Sequence, residues 1–190
     1  MRLIKGITSE NVAKKFNISR RAQDEFAASS YQKAEKAQKA GYFDEEIYPL
    51  TVKYTDPKTG NETSITVSKD DGVRPGTTVE TLSKLKPAFT KDGSTHAGNA
   101  SQVSDGAAAV ILARRSVAEK HGLPIVGKFV AGTVVGVPPA IMGVGPAYAI
   151  PKLLSKAGLT IDDIDIFEIN EAFASQCLYS AQVCTSSESL

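Results

Sequence analysis

Two polar clusters in this chain have residue types and spacing that could do chemistry. The first is Phe167-Glu168-Ile169-Asn170-Glu171-Ala172-Phe173-Ala174-Ser175-Gln176, where an apolar run passes into a helical pattern. Ligands of open α/β sheets collect at the carboxyl ends of strands, so an amide beside a carboxylate at such a junction can face a cleft. The same residues have a plainer use, with Asn170 as a helix N-cap and Glu171 complementing the helix dipole. The second cluster is Thr95-His96-Ala97-Gly98-Asn99-Ala100-Ser101. Its small residues let a ligand approach the backbone, and Ser101 can open a helix whose N-terminus suits anionic or carbonyl groups, or simply cap a turn.

Other chemistry is poorly supported. Cys177 and Cys184 have no histidine near them in sequence to act as a base, and Cys177 falls on the helix after the Asn-Glu junction as a small core residue. His96 and His121 are isolated and read as surface or loop residues rather than ligands, and no Cys/His set has zinc spacing. Gly143-Val144-Gly145-Pro146 begins like a dinucleotide fingerprint, but Tyr148 stands where Gly or Ala is needed.

The elements that must position these clusters come in two textures. Up to about residue 40 the pattern is helical: Thr8 or Ser9 caps a helix reaching Phe16, and Ser19 caps a longer one that Gly41 stops. Residues 46–67 predict a hairpin around the turn formers Asp56 to Asn61. An arm, Asp70 to Gly76, leads to a short helix at Val79 to Leu85 and a loop from Lys91 to Ser104. Beyond it, apolar strands are predicted at Ala107 to Ala113, Ile125 to Val137 and Ile164 to Ile169. Helices are predicted at Ser116 to His121, Gly145 to Gly158 and from Ala172. The whole reads as α/β with a boundary between residues 90 and 105.

Composition narrows the partners. The chain has 190 residues, 42% apolar and 23% charged, with a net charge of +1, which is ordinary globular usage. With no Lys/Arg run longer than two, it has no electrostatic footprint for nucleic acid or an anionic membrane, so small molecules or proteins are the expected partners. The uncharged stretch Phe129 to Pro151 holds four glycines and four prolines, which denies it a continuous membrane-spanning helix. Two cysteines and no secretory hydrophobic region fit a reducing compartment.

Asn170-Glu171-Ala172-Phe173-Ala174 resembles a block of the thiolases, and other blocks follow in family order: Gly6 to Ala13, Lys84 to Phe89, Ala97 to Ser101, Ser104 to Ala108 and Val135 to Pro139. The resemblance is to the peroxisomal-type 3-ketoacyl-CoA thiolases and covers about residues 6–183. It implies an incomplete thiolase fold: residues 1–95 as most of a mixed α+β loop domain, 96–183 as the first part of a layered α/β half-domain, and 184–190 as a non-family tail. It implies acyl transfer to coenzyme A with thiolytic cleavage of a 3-ketoacyl thioester, in fatty-acid β-oxidation. A thiolate would form an acyl-enzyme, and donors would stabilise the thioester oxygen as the acetyl-CoA enolate departs.

By that resemblance Asn170 is the catalytic amide that orients a water in the oxyanion hole. Arg74 lies against the CoA adenine, where a planar guanidinium can stack on a base, and Ser101 contacts the pantetheine arm. Phe89, Met142 and Phe173 line the pantetheine and acyl channel. Coenzyme A enters as substrate, no cofactor or metal is implied, and the expected partners are CoA thioesters and a second copy in a homodimer. The family's nucleophilic cysteine, its Gly-His-Pro histidine and its second catalytic cysteine stand in motifs that this sequence does not contain, and neither Cys177 nor Cys184 replaces them. The 190 residues alone are therefore expected to be inactive and to leave apolar strands uncovered, the alternative being a non-catalytic product that binds CoA or an intact thiolase subunit. A peroxisomal location follows from the resemblance, with mitochondrion or cytoplasm as alternatives, since Glu188-Ser189-Leu190 does not match the Ser-Lys-Leu address.

Overall fold

The structure, a computed structural model, describes residues 5–104 and 106–185. Helix α1 (Lys5–Lys15) is followed by α2 (Arg20–Lys39), a hairpin of β1 (Leu50–Thr55) and β2 (Glu62–Val67), and α3 (Val79–Ser83). Then come α4 (Arg115–Lys120), a 3-10 helix (Pro139–Val144), α5 (Gly145–Ala157), a 3-10 turn (Ile161–Asp163) and α6 (Ala174–Thr185).

Local chemistry explains several boundaries. Ser19 caps α2, its hydroxyl accepting from the Ala22 N–H. Pro146 lies in the first turn of α5 and Gly158 ends it in the left-handed conformation, φ 68°. The hairpin pairs antiparallel from Leu50 against Val67 to Thr55 against Glu62, with Asp56 Oδ1 accepting from the turn amides of Lys58 and Thr59. Helix α1 differs from expectation: it begins before Thr8 and Ser9, which lie inside it and are buried. Ser9 spends its hydroxyl on tertiary partners instead of a cap.

Helix α6 is the hub, packing on α1, α2, α5 and the 3-10 helix. Val12, Ile141 and Val144 form one apolar cluster, closed by the stacked rings of Phe16 and Tyr179 at 3.8 Å between centroids. Ala27, Ala28 and Leu82 form a second, between α2 and α3. No helix of the described residues is long and apolar enough to cross a membrane.

The three predicted strands of the second half are the main departure. Residues 107–113, 125–137 and 164–169 carry no strand, and the only sheet among the described residues is the hairpin. Nor are they buried: Ile111 is 90% exposed, Val126 100% and Ile166 76%. A strand requires a hydrogen-bonding neighbour, and no described segment supplies one to these runs.

Candidate functional site

A cavity of about 670 Å³ opens between α2, the arm of residues 70–77, the loop at 97–102 and the turn before α6. Arg74, Ser101 and Asn170, which lie far apart in sequence, all line it, with Glu171 and the apolar Phe26 and Leu82. The remaining sequence-predicted residues lie elsewhere. Phe89 packs its ring on Gly6 at the start of α1, so closely that a Cβ at Gly6 would lie 2.2 Å from it. Met142 is half exposed in the 3-10 helix. Phe173 pairs with Ala100 in an isolated antiparallel bridge just behind the cavity wall.

That bridge joins the two clusters singled out in the sequence. Ser101 N–H donates to the Ala172 carbonyl at 2.9 Å, and Ala174 N–H donates to the Asn99 carbonyl at 3.0 Å. Ser101 therefore opens no helix; its backbone is one rung of this pairing, and no regular structure follows it at 102–104. Asn170 is not an N-cap either, because α6 begins four residues later at Ala174. Gln176 shapes the intervening turn: its amide Nε2 donates to the Asn170 carbonyl at 3.2 Å and its Oε1 accepts from Phe173 N–H at 3.1 Å. A Gln three residues after the position preceding a helix is the back-reaching half of a capping box, a signal that was readable in the sequence.

Beneath the wall is a buried polar network. Asp24 on α2 accepts from Arg20 Nε at 2.8 Å, from Asn99 Nδ2 at 3.3 Å and from His96 Nε2 at 2.7 Å. His96 is thus a loop residue, as one of the two sequence readings has it, but a fully buried one. Its Nδ1 accepts from Gly98 N–H at 3.0 Å, so the proton sits on Nε2 and the ring is the neutral tautomer. Burial pushes its pKa below the usual histidine value, outweighing the hydrogen bond to Asp24 that pulls the other way. Glu10 on α1 accepts from the backbone N–H groups of Ser94 and Thr95, and the hydroxyls of Ser9, Thr95 and Ser175 join α1 and α6 to the same loop.

Gly98 owes its smallness to packing against protein side chains. A Cβ there would lie 2.5 Å from the Leu82 side chain and 2.9 Å from that of Leu85. Ser30 hydroxyl donates to Glu171, which holds that carboxylate toward α2. Cys177 is buried on α6, and burial together with the nearby Glu171 charge pushes its pKa up to about 11. At neutral pH it is a protonated thiol, which is no nucleophile. No cluster of three or more potential metal-ligating side chains occurs among the described residues.

The cavity wall is therefore built from two segments matched by one protein family. Residues 2–116 match the thiolase N-terminal domain and residues 123–190 the thiolase C-terminal domain. The chain belongs to the thiolase family. The second match takes in 184–190, which sequence reading set apart, and residues 186–190 lie outside the described structure. The chain is 64% identical over 184 residues to the peroxisomal 3-ketoacyl-CoA thiolase of Yarrowia lipolytica, covering 97% of this chain and 44% of that protein. It is 64% identical over 177 residues to the human peroxisomal 3-ketoacyl-CoA thiolase, covering 93% of this chain and 42% of the relative. The dimeric peroxisomal thiolase of Saccharomyces cerevisiae superposes with a TM-score of 0.86 at 56% identity, covering 95% of this chain and 44% of that one. The human mitochondrial 3-ketoacyl-CoA thiolase in complex with CoA gives 0.83 at 43% identity, covering 95% and 43%. The chain thus carries part of the thiolase fold and spans under half the length of the relatives it matches.

Proposed function

We propose that these residues form the CoA-binding side of a thiolase-type acyltransferase that cleaves 3-ketoacyl-CoA to acetyl-CoA and a shortened acyl-CoA in peroxisomal fatty-acid β-oxidation. The observation that carries this reading is the convergence of Arg74, Ser101 and Asn170 on one cavity. Arg74 stacks on the adenine, Ser101 contacts pantetheine and Asn170 orients a water toward the thioester oxygen. That water supplies a donor where negative charge develops, which lowers the barrier to enolate departure. Phe89, Met142 and Phe173 serve the acyl channel outside this cavity. The division of the chain falls at 95/96, between the loop domain and the start of the second half-domain, and the working assembly is a homodimer.

The covalent step needs a thiolate, and Cys177 is held protonated by burial. The 190 residues alone are therefore expected to release no acetyl-CoA from acetoacetyl-CoA. Exchanged for the matching segment of the Yarrowia lipolytica relative, they are expected to support thiolysis that Asn170→Ala lowers at least tenfold. Turnover by the 190 residues alone that Asn170→Ala abolishes overturns the expected inactivity, and an exchange protein indifferent to Asn170→Ala overturns the proposal. A second reading, a non-catalytic partner of an intact thiolase subunit, is favoured by the exposed apolar residues of 107–113 and 125–137. Co-purification with an intact subunit without CoA binding supports that reading.

A further inference from the structure

Helix α2 presents three polar side chains at positions 32, 35 and 38, a spacing that keeps them along one face over two turns. Each holds the backbone of the arm that carries Arg74. Gln38 Nε2 donates to the Asp70 carbonyl at 2.9 Å, Glu35 Oε2 accepts from Gly76 N–H at 3.1 Å, and Gln32 Nε2 donates to the Thr77 carbonyl at 3.2 Å. The contacts bracket Arg74, one on its N-terminal side and two on its C-terminal side. Between them the arm is braced on itself, with Arg74 Nη1 donating to the Asp71 carbonyl at 2.8 Å and Thr77 Oγ1 donating to the Arg74 carbonyl at 2.7 Å. Gly76 turns with φ 72°, which directs its N–H to Glu35 in a conformation that side chains resist. At the other end the arm meets the Ser101 loop, where a Cβ on Gly72 would lie 2.7 Å from the Gln102 amide.

We propose that Gln32, Glu35 and Gln38 form a positioning clamp that fixes the Arg74 arm for the nucleotide end of CoA, an inference that rests on the CoA reading above. None of the three is a catalytic residue; each acts through Arg74. Glu35 is the centre of the clamp, because its other oxygen pairs with Lys39 at 2.6 Å and anchors the carboxylate in place. A loop already ordered in its bound position loses less entropy when the ligand arrives, which raises affinity without a new contact.

The test is a double-mutant cycle on the 190-residue chain, with CoA affinity read by isothermal titration. Glu35→Ala is expected to weaken CoA about fivefold, the worth of roughly one net hydrogen bond. In an Arg74→Ala background the same change is expected to cost less than about 1.5-fold, because nothing is left to position. Glu35→Gln, which keeps an acceptor for Gly76, is expected to restore most of the affinity. Equal losses in both backgrounds, or no loss in either, overturn the clamp while leaving CoA binding intact. If the unaltered chain binds no CoA, the clamp and the reading beneath it fall together.

Discussion

The loop at 94–101 and the apolar runs at 107–113, 125–137 and 164–169 make opposite use of their residues. The loop is rich in polar groups, yet Thr95, His96 and Asn99 are buried and hydrogen-bonded to α1, α2 and the first residue of α6. The runs are rich in Val, Ile and Leu, yet Val110, Ile111 and Leu112 are more than four-fifths exposed. Partners explain the inversion better than hydropathy does. The polar side chains of Ser94, Thr95, His96 and Asn99 each find a partner, whereas the runs have a strand pattern and no strand beside them among the described residues. Burial follows complementarity, and the cavity opens beside the loop that has its partners.

The largest expected effect comes from removing the centre of the loop's network. Asp24→Ala leaves Arg20, His96 and Asn99 donating into a buried void, a change of about 3–5 kcal/mol by analogy with broken buried pairs. Urea unfolding followed by backbone amide exchange at 95–101 reads it; unchanged protection would place the loop's order elsewhere. Gly98→Ala drives a methyl into Leu82 and Leu85 and is expected to cost about 1–3 kcal/mol, as overpacking does, measured by the shift of the urea midpoint.

A subtler break uses pH. Because the folded pKa of His96 is depressed, the unfolded chain binds a proton that the folded chain refuses as pH falls below about 6.5. His96 therefore contributes fully above that value and loses its contribution as pH drops through the folded pKa. His96→Gln is expected to flatten the pH dependence of the melting temperature between pH 7 and 5, and an unchanged slope would assign that dependence to other groups. Smallest in stability are changes to the uncovered runs: Ile111→Ser and Val126→Ser should move stability by less than about 0.5 kcal/mol, as surface substitutions do. They should nevertheless lower light scattering, since exposed apolar patches drive association. Light scattering from the unaltered chain no higher than from these two variants would contradict that view.

How much of this was legible in the sequence depends on the range of the interaction. Ser19 as a cap, the Asp56 turn and Gly158 as a stop were readable because their partners lie within a few residues. The family resemblance also pointed to Arg74, Ser101 and Asn170, which the fold brings to one cavity. The burial of His96 was not readable, since its partner Asp24 lies 72 positions away and neither residue type announces the other. Glu10 clasping Ser94 and Thr95 across 84 and 85 positions was hidden for the same reason. The three apolar runs were misread as formed strands because periodicity reports a preference for burial and is silent on whether a neighbour exists. Gln176 falls between these cases, with a capping signal that was local but overshadowed by the Asn-Glu pair.

The central claim is that Arg74, Ser101 and Asn170 line one binding surface for CoA. Isothermal titration of CoA into the 190-residue chain tests it most directly. A saturable one-site isotherm, weakened at least tenfold in both Arg74→Ala and Ser101→Ala, is the predicted result. No binding, or binding that both substitutions leave unchanged, would contradict it.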